Sequence, residues 1–109
     1  MGFDAELAGR IRALLGDHVT EEKNVFGGLA FMIGGNMAVA ASSNGGIIVR
    51  VDPAESAELV ATTPAQLMEM RGRTMAGWLR VGEADVADDA ALAPWVERGA
   101  GYAASLPPK

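Results

Sequence analysis

From Val25 to Val51 the chain reads VFGGLAFMIGGNMAVAASSNGGIIVRV, and no charged residue stands between Lys23 and Arg50. Breaks at Gly34-Gly35-Asn36 and Ser43-Asn44-Gly45-Gly46 cut this run into three short apolar pieces of strand length. Asn-Gly in the second break tolerates the positive φ of a tight hairpin turn. The pattern predicts three sequential antiparallel strands over residues 24–33, 37–42 and 47–51. A membrane helix over residues 25–41 is the serious alternative, but a span needs ~20 steadily apolar residues. Gly27, Gly28, Gly34, Gly35 and Asn36 lower the hydropathy, and turn chemistry in the middle decides for strands.

The first of these strands is apolar on both faces. Val25, Leu29, Phe31 and Ile33 share one parity, and Phe26, Ala30 and Met32 share the other. A strand with one wet face alternates apolar with polar, so this one is expected to be central, with a helix on one side and a second subunit on the other. Gly27-Gly28 marks a bulge or a close backbone approach within it.

The flanking sequence supplies the cover. Phe3, Leu7, Ile11, Leu14 and Leu15 recur at helical spacing, and Gly16 follows where a C-cap is expected. DHVTEEK (residues 17–23) reads as a polar connection. Asp52-Pro53-Ala54-Glu55 carries the residue types of a helix start, and that helix ends before Thr62-Thr63-Pro64. Residues 67–70 and 75–81 form a second hairpin around Arg71-Gly72-Arg73, with Trp78 and Leu79 on opposite faces. Asp88 and Asp89 open a last helix with Leu92, Trp95 and Val96 in its apolar stripe; Pro94, Gly99 and Gly101 weaken or kink it. The predicted order is α-β(3)-α-β(2)-α: one α+β domain over residues 1–109, an antiparallel sheet with helices on one face.

Composition excludes several functions. With no cysteine, disulfides, thiolate metal sites and cysteine nucleophiles are ruled out, and a reducing, cytoplasmic setting is expected. A net charge of −5 argues against a general nucleic-acid surface, which needs clustered Lys and Arg. The N-terminal stretch has no signal-peptide pattern, and no membrane association is expected.

Candidate chemistry is sparse. His18 is the only histidine and has no ligands at metal spacing, so no metal site is predicted. No nucleophile elbow or phosphate-binding loop occurs, and the paired acids Glu21-Glu22 and Asp88-Asp89 read as loop and helix-start residues. No catalytic or cofactor-binding residue is assigned and no cofactor is expected. Arg50, Arg71, Arg73 and Arg80 form the one cluster of interest, on or between the strands. They serve either as partners of surface carboxylates or as an edge that contacts an anion or a protein, since guanidinium binds carboxylate and phosphate bidentately. Phe26, Ala30, Met32 and Trp78 mark the expected dimer face.

Phe26-Gly27-Gly28-Leu29-Ala30-Phe31-Met32, Gly35-Asn36-Met37, Ile48-Val49-Arg50-Val51, Gly72-Arg73-Thr74-Met75-Ala76-Gly77-Trp78 and Trp95-Val96-Glu97-Arg98-Gly99 resemble, in order and spacing, the TfoX/Sxy N-terminal domain family. Asn24-Val25 departs from the basic residue and Met usual before Phe-Gly-Gly, and Thr74 stands where Pro is common. The resemblance implies a two-layer α-β(3)-α-β(2)-α fold similar to secretion chaperones, here as a stand-alone domain without the C-terminal domain of the founding members. Those members regulate natural competence together with a transcription activator, and the family offers no catalytic residues to transfer. The expectation is a non-enzymatic regulatory or adaptor module acting through protein contacts, as a homodimer and with a further protein partner; the alternative is a small-ligand or anion-binding protein using the arginines.

Overall fold

The computed structural model describes residues 3–19, 21–25 and 27–108, and within the strands the side chain of Met70 is left undescribed. The elements are α1 (Ala5–Leu15), β1 (Glu21–Val25), β2 (Gly28–Ile33), β3 (Asn36–Ala41), β4 (Ile47–Arg50), α2 (Ser56–Thr62), β5 (Gln66–Met70), β6 (Arg73–Val81) and α3 (Asp89–Ser105). The six strands form one antiparallel sheet in the order β1-β2-β3-β4-β6-β5. The α+β class, the antiparallel sheet and the helices at the expected places are all as the sequence suggests.

The strand count is not. The predicted strand over residues 24–33 is two strands, because the chain reverses between Val25 and Gly28, which face each other in the β1–β2 register. The last three residues of the supposed polar connection, Glu21 to Lys23, are therefore edge strand. Charged side chains guard that edge against pairing with another sheet. The reversal also breaks the parity assumed for Val25. Gly28 is a close approach, since a Cβ there would meet the carbonyl oxygen of Ala41, whereas Gly27 lies outside the strands with φ +80°.

Leu29, Phe31, Val39, Ala41, Ile47, Val49, Leu79 and Val81 point to one face of the sheet and are buried beneath the helices. The helices add Leu7, Ile11, Leu15, Leu59, Leu92 and Val96 to the same core. α1 and α3 begin where their capping chemistry sits. The Asp4 carboxylate accepts from the backbone N–H groups of Glu6 and Leu7 at 2.9 and 3.2 Å. Asp88 accepts from Ala91 N–H at 2.8 Å, and Asp52 opens the turn before α2 by accepting from Ala54 N–H at 2.9 Å. These bonds satisfy donors that have no partner inside the helix.

α3 lies on β3 because both surfaces are small. Ala38 is buried, and a Cβ at Gly99 would meet its carbonyl oxygen. The glycine expected to weaken the helix is where the helix touches the sheet, and α3 continues unbroken through Pro94, Gly99 and Gly101 to Ser105. On β6, Gly77 (φ +88°) interrupts the ladder with β5, donates its N–H to Ser56 Oγ at 2.6 Å and accepts from Val51 N–H at 2.8 Å. That kink ties the second hairpin to the start of α2.

Candidate functional site

Among the described residues no helix covers the opposite face of the sheet. Register places Glu21, Lys23, Ala30, Met32, Met37, Ala40, Ile48, Arg50, Trp78, Arg80 and Gln66 there, since directly paired residues share a face. At its centre is an open trough of about 450 Å³ floored by Met37, Ile48, Met68, Met75 and Trp78, with Arg80 on its wall. Three methionines are among the described residues that line it. That composition suits an adaptable contact surface, because the unbranched thioether repacks easily against different shapes.

The four arginines of interest divide into two pairs. Arg50 faces Trp78 across the β4–β6 ladder, and Arg80 stands between Ile48 and Gln66. The Arg50 guanidinium lies 5.1 Å from the Trp78 ring centre and 5.7 Å from that of Tyr102, within the range of cation–π attraction. Arg71 and Arg73 are at the far end of the second hairpin, seven residues from Arg80 along β6 for Arg73, or roughly 20 Å at strand rise. Arg71 has φ +53° and Gly72 φ +78°, the two positive angles of a tight hairpin turn. Strand alternation sets Arg73 on the same side as Met75.

Of the residues proposed for a dimer face, Ala30 and Trp78 are on this open face, and register sets Met32 there as well; Phe26 lies outside the described residues. Ala30 is fully buried within the single chain, while Trp78 and Met32 are half-buried. A charge at Ala30 would therefore damage the fold whatever the oligomeric state. Ile48, Met68 and Met75 are the better probes, and the sequence reading passed over them. For Ile48 the signal was available: it breaks the alternation of β4, where Ile47 and Val49 already fill the core.

The cations on the helix side behave differently. Arg12 binds the Glu22 carboxylate with two bonds, Nε at 2.6 Å and Nη2 at 2.8 Å. That hydrogen bonding, helped by the opposite charge, raises the Arg12 pKa and holds Glu22 below the usual carboxylate range. Arg10 pairs with Asp89 at 2.7 Å and Arg98 with Glu55 at 3.7 Å. These three are the ion pairs among the described residues, and none involves Lys23, Arg50, Arg73 or Arg80.

His18 is exposed at the end of the turn that follows α1. Among the described residues no group of three His, Asp or Glu is placed to hold a metal ion, and no helix is long and apolar enough to cross a membrane. A family model described as the TfoX N-terminal domain matches residues 14–103. No curated protein and no solved structure matches the chain.

Proposed function

Because the chain belongs to the TfoX N-terminal domain family, whose role is regulatory, we propose that it is a non-catalytic regulatory module that works through protein contacts. The open face of the sheet makes those contacts. The observation that carries this reading is the pairing of a helix-covered core face with an uncovered one that carries Ile48, Trp78 and three methionines in a concave trough. Large aromatic and Met side chains are enriched at contact surfaces, and apolar patches left exposed on a folded domain mark interaction sites. Photocrosslinking in cells tests it. A benzoylphenylalanine at position 48 is expected to give protein adducts, and one at the exposed helix position 13 is not. Equal adducts at both positions, or none at 48, contradict the reading.

A second reading rests on the size of the trough, which falls within the range of about 300–1,000 Å³ usual for small-molecule sites. An apolar molecule with a carboxylate end would lie on the methionines with its anion against Arg80. A medium-chain carboxylate should then raise the melting temperature of the native chain and not of Arg80→Ala.

A further inference from the structure

We propose that the open face docks an acidic amphipathic segment of a partner protein, its apolar side in the trough and its carboxylates against Arg50 and Arg80. This rests on the reading that the face makes protein contacts and adds what it contacts. The chain carries 14 acidic and 9 basic residues, yet on this face the balance reverses. Lys23, Arg50, Arg73 and Arg80 stand there, with Glu21 on the edge strand and Glu69 at the lip of the trough as acids, and Asp85 lines a small pocket beside Arg80 without pairing with it.

The state of those cations separates them from the rest. Arg10, Arg12 and Arg98 are matched by carboxylates on the helix side. Arg12 and Arg98 also approach rings, those of Phe31 and Trp95, whereas Arg50, half-buried at the end of β4, has among the described residues only the rings of Trp78 and of Tyr102 on α3. Ring contacts orient a guanidinium while leaving its planar fork of N–H donors available for a bidentate carboxylate. Arg80 lies exposed beside Ile48, so an anion bound there would sit next to the apolar floor.

The same charges argue against a second copy as the occupant. Two open faces packed together would bring like cations into one interface, and like charges juxtaposed in an interface oppose association. Concavity separates a protein segment from a lipid surface: a trough accepts the ridge of a helix, whose anchors repeat at i, i+3, i+4 and i+7. A helix of ~18 residues is ~27 Å long, comparable with the 31 Å extent of the domain.

The test uses three fluorescent helical peptides with one leucine stripe and flanks of glutamate, glutamine or lysine, titrated against the intact chain. The glutamate peptide is expected to bind at least about tenfold more tightly than the lysine one, with an affinity that falls as salt rises. Arg80→Ala, and separately Arg50→Ala, should weaken the glutamate peptide several-fold and leave the glutamine peptide unchanged. Circular dichroism confirms that each variant is folded, and Arg80, being exposed, keeps the test valid should Arg50→Ala unfold. Glutamate and lysine peptides that bind alike overturn the inference, and loss of both in Ile48→Glu would show that the contact face itself survives. A dimer in light scattering that Ile48→Glu dissolves, with no peptide bound, overturns it in favour of a second copy. Binding to anionic vesicles in place of all three peptides overturns it in favour of a membrane surface.

Discussion

The two faces of the sheet are built from the same strands and differ in cover and composition. Toward the helices, β2, β3, β4 and β6 present Phe31, Val39, Ile47, Val49, Leu79 and Val81, all essentially inaccessible to solvent. Branched and aromatic side chains with few rotamers give that face close packing. Away from the helices the intervening positions are Ala30, Ala40, Ile48, Trp78 and the methionines, with arginines among them. Cations are neutralised on the first side and not on the second. The difference shows that the large buried side chains of the core occupy one residue in two, while on the other face only small residues such as Ala30 and Ala40 are buried.

The contrast is sharpest where residues on opposite faces of the paired strands β4 and β6 are changed in turn. Leu79→Ala should cost about 2–5 kcal/mol in chemical denaturation, through lost burial and a residual cavity. On β4, the charge of Ile48→Glu points away from the core and should cost roughly 1 kcal/mol or less, while removing contacts made by the open face. Equal destabilisation at both positions would erase the distinction between the faces. Between these extremes lies Gly99→Ala. Its Cβ meets the Ala38 carbonyl, so α3 must lift from β3 at a cost of about 1–3 kcal/mol, typical of overpacking; a melting temperature equal to that of the native chain would show that the contact is looser than described.

The smallest effect concerns Glu22. Its folded-state pKa is lowered by Arg12, so its contribution is present above the unfolded value of roughly 4.3 and is lost as pH falls through the folded one. The pair is exposed, and the contribution is correspondingly small. The Glu22 carboxyl resonance should titrate lower in the native chain than in Arg12→Ala in an NMR pH series. An identical midpoint for the two would mean the bidentate geometry is not kept in solution.

Much of the fold was legible because hydrophobic periodicity and turn chemistry coincided. Asp4, Asp52 and Asp88 mark helix starts, Asn44-Gly45 and Arg71-Gly72 mark reversals, and the alternation of Ile47, Val49, Leu79 and Val81 marks core strands. The β1–β2 hairpin was missed because Glu21-Glu22-Lys23 has the composition of a loop; only its position at a sheet edge makes it a strand. Gly99 read as a helix weakness because its reason lies in a backbone 61 residues earlier in the chain, at Ala38. The open face was half visible. Double-sided apolarity in residues 24–33 and at Trp78 announced it, but Met68 and Met75 join it only through the pairing of β5 with β6. The arginines looked like one cluster because sequence distance hides strand length.

Methionine methyl NMR tests the central claim most directly. With the methyl groups labelled with carbon-13, the glutamate-flanked peptide is titrated into the native chain. The account expects the resonances of Met37, Met68 and Met75 to shift together and saturate, while the indole N–H of Trp95, buried on the helix side, stays in place. Shifts centred on Trp95 and the helices, with the three methionines unmoved, would contradict it.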